Sequence, residues 1–241
     1  KKALAHIKIE TGTYRQGVMR EEISKLAELL REQTAWINVE GMYTHFADTE
    51  NSSSSYYKEQ LQSFEEIIGL FEELGVVSQY RHAAASAATL MYPHTHFNMV
   101  RWGIGLYGLY PSEDVQSSAL HIVRLKPALT WKTRIAQVKI MPKGETIGYD
   151  RTFTALQPMK IAILPVGYWD GFDHRLSNKG SVLVRGKKCP VVGNVCMNMA
   201  MVNITDVPRV HAGDEAVLIG KQGVAEITAE EFAAKIGTIN Y

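Results

Sequence analysis

The sequence is poor in cysteine, with only Cys189 and Cys196 among its 241 residues. Six residues separate the two, a spacing that fits no common zinc-binding or redox motif, and no histidine lies near them. Both stand in apolar, strand-like sequence, which predicts buried and reduced thiols. We therefore expect a cytoplasmic protein without a metal site.

Charge of neither sign is in excess, and long hydrophobic runs are absent. Lysine and arginine number 26 against 25 aspartate and glutamate, with no basic block or acidic tail, so neither nucleic acid nor a membrane surface is an expected partner. No apolar run approaches the roughly 20 residues that span a bilayer, and no signal peptide opens the chain. The hydrophobic content of 46% is that of a globular protein with a substantial core.

Apolar residues in the first half of the chain alternate between strand and helix spacing. We predict strands at residues 3–10, 37–44, 78–83 and 98–101, and helices at 21–32, 56–74 and 86–91. Such alternation indicates parallel βα units, about four of them, whereas a closed barrel needs eight. No G-x-G-x-x-G follows the first strand, which disfavours a dinucleotide-binding fold. The fold predicted for residues 1–117 is therefore α/β, part of a (β/α) TIM-type barrel.

The spacing changes after about residue 118. Strands are predicted at residues 125–140, 146–155, 159–166, 181–184, 190–195, 201–204 and 215–219, joined by turn sequences that contain glycine. A helix returns at 228–236, where Thr228 is a good N-cap and Glu231 stands three residues later to complete a capping box. The sequence thus predicts an antiparallel β domain over residues 118–241, and an overall class of α/β plus all-β.

Polar and charged side chains recur where the strands of the first half end. In a parallel barrel such strand ends meet at one rim, where active sites form. The run M-V-R-W-G-I-G-L-Y-G at residues 99–108 also contains three glycines, and backbone freed of side chains can approach a phosphate closely. A glycine-rich bend between domains is the alternative. The residues expected to converge are Lys8, 11–15, His45, His82, Ser86, Arg101, Gly103 and Ile104.

Eight short segments, in order, resemble those of the alanine racemase family, whose members use pyridoxal phosphate. H-I-K-I-E-T-G-T-Y-R is similar to the family's K-x-D-T-G-M-G-R, H-A-A-A-S-A-A to H-x-x-N-S, and M-V-R-W-G-I-G-L-Y-G to R-x-G-I-x-x-Y-G. P-V-G-Y-W-D-G and V-C-M-N-M are similar to G-Y-x-D-G and C-M-D. The other three segments are G-M-Y-T-H-F-A, I-G-Y-D-R-T-F and T-I-N-Y. The resemblance covers nearly the whole chain and implies a barrel domain followed by a β domain.

The resemblance implies that Arg101 faces the pyridine nitrogen of pyridoxal 5′-phosphate. A carboxylate there would keep the nitrogen protonated and make the ring a deep electron sink, whereas a guanidinium opposes that protonation. This arrangement suits racemisation and discourages transamination. The other cofactor contacts implied are Ser86, the amides of Gly103 and Ile104 and the hydroxyl of Tyr241 at the phosphate, Arg15 at the phenolic oxygen, and His82 behind Arg101.

The same resemblance implies that Tyr149 is one of two catalytic bases. A phenol titrates at about pH 10, so it needs help to act at neutral pH. A relay of His45, Arg101 and His82 would supply that help by favouring the phenolate. A strand-end aromatic residue is the alternative interpretation of Tyr149.

Arg15, Tyr168 and Met197 are implied to contact the substrate, and core packing is the alternative for the Met197 side chain. Tyr149, Tyr168 and Met197 would act across the interface of a homodimer, because in this family the β domain of one copy completes the barrel site of the other. Lys8 resembles a family lysine that is often carbamylated and pairs with the arginine at Arg15. A strand-end lysine with its stem packed on apolar surface is the alternative.

Four positions depart from the family pattern: Glu10 stands where aspartate is usual, Tyr14 where glycine is usual, Ala85 before the phosphate serine where asparagine is usual, and Asn198 after Cys-Met where aspartate is usual. These changes bear on substrate preference and turnover more than on cofactor binding. The lysine that anchors the cofactor and acts as the second base, within a K-A-N-A-Y-G-like motif, has no counterpart here. Both ends of the sequence read as cut, so we expect a preceding segment to supply that lysine.

The sequence therefore predicts an alanine racemase, an isomerase that interconverts L- and D-alanine and supplies D-alanine for peptidoglycan. Without the upstream lysine, the chain as given is expected to be inactive. A serine racemase or a broad-specificity amino-acid racemase is the alternative enzyme. A non-catalytic fragment that binds pyridoxal phosphate or mediates dimerisation is the alternative from another class.

Overall fold

The computed structural model describes residues 1–241, which form two compact units, Lys1–Lys126 and Pro127–Tyr241. The first unit contains a parallel sheet of three strands, β1 (Ala3–Lys8), β2 (Ile37–Tyr43) and β3 (Tyr80–His82), in that spatial order. Lys8 pairs with Tyr43 and Tyr43 pairs with His82, so the three strands end on one row. This register brings the residues that follow each strand to the same edge of the sheet.

Four helices belong to the first unit: α1 (Ile23–Glu32), α2 (Tyr56–Glu73), α3 (Ser86–Met91) and α4 (Glu113–Ala119). The apolar faces of α1 and α2 pack with the sheet, as their spacing predicts. Together they bury one core that includes Ile9, Ile23, Ala27, Met42, Phe64, Ile67 and Phe71. Gly75 follows α2 with φ +81°, a left-handed conformation that ends the helix.

Residues 98–101 do not form the predicted fourth strand, and that prediction is wrong. The side-chain oxygen of Asn98 accepts a hydrogen bond from the Arg81 amide at 2.8 Å, so a side chain occupies the edge of β3 that a further strand would use. The backbone of the segment is tied to the chain beyond β3 by a bond from the Arg101 amide to the Ala84 carbonyl, 2.9 Å long. The segment therefore runs beside the sheet without extending it.

The first compact unit extends past the point at which the sequence places the change of domain. The polar sequence around residue 118 forms part of α4 rather than a linker. Ser112 caps this helix by accepting a hydrogen bond from the Val115 amide at 3.2 Å. Val115 and Ala119 are buried in a cluster with Leu90 and Tyr110. This apolar side of α4 holds the polar sequence within the first unit.

Ten strands make up the second unit, and their pairing is antiparallel, as predicted. They are β4 (Trp131–Arg134), β5 (Gln137–Met141), β6 (Thr146–Ile147), β7 (Phe153–Thr154), β8 (Met159–Leu164), β9 (Ser181–Val184), β10 (Lys187–Pro190), β11 (Ala200–Asn203), β12 (Glu215–Gln222) and β13 (Ala225–Ile227). One sheet has the order β10-β9-β12-β13, with β4 also paired to β12, and a second has the order β11-β8-β5. A shared core of buried Val, Leu, Ile and Ala side chains lies within this unit.

The single strand predicted at residues 125–140 is two strands in different sheets. β4 pairs with β12, whereas β5 pairs with β8. The change occurs at two adjacent residues: the Ile135 amide donates to the Asp214 carbonyl at 2.9 Å, and the Ala136 amide donates to the Ile163 carbonyl at 2.8 Å. Consecutive amides thus serve different sheets, while the strand-like sequence continues without a break.

The strand predicted at residues 146–155 is interrupted at Tyr149. Gly148, Asp150 and Arg151 have φ values of +77°, +58° and +52°, which lie in the left-handed region and outside strand geometry. Strands β6 and β7 pair on either side of this turn. The turn leaves 73% of Tyr149 exposed.

Helix α5 (Ala229–Ile236) forms where the sequence predicts it. The Thr228 hydroxyl oxygen accepts a hydrogen bond from the Glu231 amide at 3.1 Å. The second hydrogen bond of the predicted capping box, from the Thr228 amide to the Glu231 carboxylate, does not form, and that part of the prediction is wrong. The Glu231 carboxylate instead pairs with Lys188 at 2.8 Å and with Lys235 at 3.4 Å. Across all its helices, the chain has none whose length and apolar character would allow it to cross a membrane.

Candidate active site

The guanidinium of Arg101 connects the ends of the strands in the first unit. Its Nη1 atom donates to Nδ1 of His82 at 2.8 Å and to the His82 carbonyl at 3.1 Å. Its Nη2 atom donates to the carbonyls of Thr44 and Ala83, each at 2.8 Å, and to Nδ1 of His45 at 3.1 Å. The structure therefore brings together Arg101, His45 and His82, as the sequence analysis expects.

These contacts use all the hydrogens on the two terminal nitrogens of Arg101. Four N–H groups face five acceptors, so at least one hydrogen is shared. The Nε–H group is left, and no residue of the chain accepts a hydrogen bond from it. Arg101 thus offers one donor to a ligand, and a guanidinium has no lone pair with which to accept one in return.

Both histidines that contact Arg101 are neutral. Burial and the charge of Arg101 lower the pKa of His45 to about 4 and the pKa of His82 to about 4. Because Arg101 can only donate, Nδ1 of each ring must be the acceptor, and the single ring proton lies on Nε2. Burial also lowers the pKa of Arg101, but from a value so high that it remains a cation at neutral pH.

Two residues that the sequence analysis missed extend this cluster. Nδ1 of His6 lies 2.8 Å from Nε2 of His82, and Nε2 of His6 lies 3.3 Å from Oε2 of Glu40. His6 stands two positions before Lys8 on β1, so the two share one face of the strand. The two-residue alternation of side chains along a strand could therefore have identified His6 from the sequence. Nothing in the sequence marks Glu40, which is one of several exposed-looking acids.

Ser86 lies against the glycine-rich turn that follows Arg101. Its Oγ atom accepts hydrogen bonds from the amides of Gly103 at 3.0 Å and Gly105 at 3.1 Å. Since both bonds are accepted, the hydroxyl hydrogen of Ser86 stays available to a ligand. Ile104 begins a short 3-10 turn, within which its amide has no acceptor. The Gly103 amide, which is predicted as a phosphate donor, donates to Ser86 in this structure, whereas Ser86 and Ile104 keep a donor each.

Arg15 lies in an exposed loop that Glu10 holds in shape. Oε1 of Glu10 accepts hydrogen bonds from the amides of Gly12 at 2.6 Å and Thr13 at 2.7 Å. Burial acts to raise the pKa of Glu10, but hydrogen bonds from the amides of this loop outweigh it, and the pKa is lowered. Burial and the nearby charge of Arg15 also lower the pKa of Lys8, which increases the fraction of neutral amine.

The second unit contains a cavity of about 810 Å³ lined by Tyr149, Tyr168 and Met197. Asn198, one of the departures from the family pattern, lines the same cavity. The side chain of Met197 is not part of the core, since 55% of the residue is exposed. Tyr241, the predicted phosphate contact, follows α5 in this unit and is 61% exposed. Three of the four predicted residues of this unit thus meet at one cavity.

Backbone contacts fix Tyr168 and Met197 relative to each other. The Tyr168 amide donates to the Cys196 carbonyl at 3.0 Å, and the Trp169 amide donates to the Met197 carbonyl at 2.9 Å. A Cβ atom on Gly167 would collide with the Cys196 carbonyl oxygen and with the Met197 backbone. Glycine is therefore required for the two segments to approach this closely.

The two cysteines differ in their surroundings. Cys189 is buried, and burial raises the pKa of its thiol to about 11. Cys196 is partly exposed, so the prediction that both thiols are buried is correct for Cys189 and wrong for Cys196. The chain contains no group of three or more His, Cys, Asp and Glu side chains suited to a metal ion.

Comparison with known proteins gives one consistent result. A sequence model described as "Alanine racemase, N-terminal domain" matches residues 1–111, and one described as "Alanine racemase, C-terminal domain" matches residues 128–241. An alanine racemase of Carboxydothermus hydrogenoformans is 45% identical over 236 residues, which are 98% of this chain and 63% of that protein. This chain therefore spans less than two thirds of the length of that relative.

Solved structures show the same likeness. The crystal structure of alanine racemase from Bacillus anthracis with bound L-Ala-P matches with a TM-score of 0.92 at 37% identity, over 99% of this chain and 61% of that one. Alanine racemase from Bartonella henselae, solved with covalently bound pyridoxal phosphate, matches with a TM-score of 0.83 at 27% identity, over 100% of this chain and 63% of that one. The predicted fold class, part of a TIM-type barrel followed by an antiparallel β domain, is confirmed.

Proposed function

This chain belongs to the alanine racemase family, and from this premise we propose that the protein containing it interconverts L-alanine and D-alanine with pyridoxal 5′-phosphate as cofactor. The product D-alanine would serve peptidoglycan synthesis. When bound, the cofactor withdraws electrons from the amino acid, so that the hydrogen on Cα can leave as a proton. The observation that carries the proposal is the hydrogen bonding of Arg101, in which Nε–H is the one donor left for a ligand.

Arg101 fits the ring nitrogen of this cofactor. A single N–H donor can hold an unprotonated pyridine nitrogen, and a guanidinium does not give up its proton to it. The four other N–H groups of Arg101 are bound to protein acceptors, so the side chain cannot turn away without breaking them. Arg101 would therefore limit how much negative charge the ring takes from Cα, which favours rapid return of a proton over transamination.

The phosphate fits the turn at Ser86. The Ser86 hydroxyl and the Ile104 amide are the donors available there, and the amides of Gly103 and Gly105 orient Ser86 through its oxygen. Tyr241 would add its hydroxyl, as the family resemblance implies. Gly103, whose amide is also predicted to contact the phosphate, orients Ser86 in this arrangement.

Tyr149 is the base that we propose for one face of Cα, reaching the barrel site of a second copy in a homodimer. His45 accepts from Arg101 at Nδ1 and carries its proton on Nε2, and no residue of the chain accepts that proton. A hydrogen bond from Nε2 to the Tyr149 oxygen would favour the phenolate, because an anion is the stronger acceptor. Tyr168 and Met197, which share the cavity with Tyr149, would contact the substrate.

Lys8 and Arg15 are proposed to act together at the substrate side. The lowered pKa of Lys8 supports carbamylation, since the neutral amine adds to carbon dioxide and releases one proton as the carbamate forms. The carbamate anion would pair with Arg15 and hold it toward the cofactor's phenolic oxygen and the substrate carboxylate. The second base, and the lysine that anchors the cofactor, are expected in a segment that precedes Lys1.

We also propose that the protein is cytoplasmic, as its low cysteine content predicts.

The experiment that tests the proposal uses the full-length gene product that contains this chain. Purified protein is incubated with a panel of L-amino acids, and the D-enantiomers are measured by chiral chromatography. We expect racemisation of alanine, loss of activity in Tyr149→Phe, and retained cofactor absorbance in that variant. Faster turnover of serine or of many amino acids would support the broader racemase, for which the departures Ala85 and Asn198 leave room. A colourless monomer without activity would contradict the proposal. An inactive protein that still binds pyridoxal phosphate or forms a dimer would support the non-catalytic alternative.

A further inference from the structure

The hydrogen bonds that begin at Arg101 continue through His82 and His6 to Glu40. Nδ1 of His82 accepts from Arg101 at 2.8 Å, so the His82 proton lies on Nε2 and is donated to Nδ1 of His6, also at 2.8 Å. The His6 proton then lies on Nε2 and is donated to Oε2 of Glu40, 3.3 Å away. The opposite direction is excluded because Arg101 cannot accept, so the geometry assigns every proton in the series.

Packing holds the rings of this series in place. The ring of Tyr43 stacks on His82 with centroids 4.9 Å apart and an angle of 9° between the planes. Cζ of Arg101 lies 5.3 Å from the centre of the same Tyr43 ring. Gly41 pairs with His6 across β1 and β2. A Cβ atom at Gly41 would collide with the His6 imidazole, so no other residue fits there. The lack of a side chain at Gly41 is thereby explained by the space that His6 needs.

The charges at the two ends of the series are complementary. Arg101 is a cation at the inner end, and Glu40 is a carboxylate at the outer end, where His6 and Glu40 expose 26% and 31% of their side chains. The two neutral imidazoles between them are each polarised in the same direction, and aligned hydrogen bonds of this kind strengthen one another. Loss of the acceptor at His6 would leave the His82 proton without a partner at a residue that is 5% exposed.

We propose that His6 and Glu40 are positioning residues of the active site, which hold His82 in the tautomer that accepts from Arg101. In the other tautomer, an N–H of His82 would face an N–H of Arg101, and the guanidinium would have to turn. The Nε–H of Arg101 would then lose its direction toward the ligand. The kinetic consequence rests on the proposed function, whereas the proton positions do not.

The direct test is to locate the protons in the full-length protein without cofactor, by neutron diffraction or by the 15N chemical shifts of labelled histidine. We expect His6, His82 and His45 each to carry a proton on Nε2 and none on Nδ1. A proton on Nδ1 of His82 or of His6 overturns the inference. This readout is independent of any racemase activity.

Two variants at His6 separate hydrogen bonding from packing. His6→Asn places an amide oxygen near the position of Nδ1 and keeps an acceptor for His82, whereas His6→Leu fills the space without one. In the loaded full-length protein we expect His6→Leu to lower kcat about tenfold with KM changed less than about twofold, and His6→Asn to stay within about threefold of the unmodified protein. In the cofactor-free protein, His6→Leu should also shift His82 toward the Nδ1 tautomer.

Gly41→Ala provides an independent variant, because it crowds His6 without removing a polar group, and it should shift the His82 tautomer in the same direction. Glu72→Gln is the matched control, since it weakens an ion pair with Arg81 beside the same sheet and leaves the series intact. Equal losses in His6→Leu and His6→Asn, or an unchanged His82 tautomer in both His6→Leu and Gly41→Ala, overturn the inference. If the unmodified protein does not racemise alanine, the proposed function fails and the proton positions alone decide this inference.

Discussion

Nη2 of Arg101 lies 3.1 Å from Nδ1 of His45, and this contact determines which nitrogen of His45 can act on a ligand. Because Nδ1 is the acceptor, the His45 proton is fixed on Nε2. Burial and nearby cations lower the pKa of His45 to about 4, so the ring stays neutral at the pH at which the enzyme would work. His45 is thus prepared to donate one hydrogen bond and not to take up a proton.

Removal of that donor should be visible in the pH dependence of racemisation. In His45→Phe the Tyr149 phenolate would lose a hydrogen bond, which disfavours the anion relative to the neutral phenol. We expect the acidic limb of the kcat/KM profile to move upward by about one pH unit, with kcat at neutral pH lowered about tenfold. His45→Gln retains an N–H donor and should show a smaller shift. An unmoved acidic limb in His45→Phe would mean that His45 does not act on the base.

Glu10 should matter through the loop that carries Arg15. In Glu10→Ala the amides of Gly12 and Thr13 lose their acceptor, and the loop loses its fixed shape. We expect KM for alanine to rise about tenfold, because unsatisfied amides and a mobile Arg15 weaken substrate binding. Glu10→Asp, which restores the residue usual in the family, should remain within about threefold. Steady-state kinetics of both variants check this, and equal effects would count against a role for the carboxylate.

Gly167 should be intolerant of a side chain. A Cβ in Gly167→Ala would press on the backbone of Cys196 and Met197, which separates Tyr168 from Met197. We expect kcat/KM to fall about a hundredfold, in line with the loss seen when catalytic groups are misplaced by about 1 Å. Gly69→Ala is the control, since nothing lies within 4 Å of the added atom and α2 should be slightly stabilised. Full activity in Gly167→Ala would show that the Tyr168–Met197 arrangement is not required.

Stability should fall in acid because of His82. Its pKa is about 4 in the folded protein against 6.5 as the ordinary value, so between these values the unfolded chain binds a proton that the folded chain does not. The contribution of His82 to the free energy of unfolding therefore decreases as the pH falls from 6.5 to about 4, by up to about 3 kcal/mol in total. Below that range the contribution of His82 changes no further. His82→Asn should reduce this pH dependence in urea titrations, whereas His121→Asn, at an exposed position, should not. Identical pH dependence in both variants would contradict the assignment.

Much of the fold follows from local spacing. The bounds of α3 and β9 agree with the sequence prediction, and Gly75 marks the end of α2, because these elements are specified by residues within them. Residues 98–101 and the division between β4 and β5 could not be predicted in this way. Both depend on which partner accepts a given amide, and the sequence of the strand does not contain that information.

The sequence predicted which residues form the candidate site better than it predicted the hydrogen bonds between them. His45 and His82 follow from their positions at strand ends. Arg101 follows from the glycine-rich segment that it precedes, and family resemblance supplies the roles of all three residues. His6 and Glu40 were missed because they matter through contacts between adjacent strands, and the register that makes those contacts is a property of the folded sheet. The engagement of the Gly103 amide by Ser86 is of the same kind, since it links residues on separate segments.

The role of Arg101 at the ring nitrogen is tested most directly by the 15N chemical shift of the pyridine nitrogen of labelled pyridoxal 5′-phosphate bound to the full-length protein. If Arg101 donates through Nε–H and keeps its charge, that nitrogen should be unprotonated, and Arg101→Glu should convert it to the protonated form. A protonated nitrogen in the unmodified protein, or no change in Arg101→Glu, would contradict the role given to Arg101.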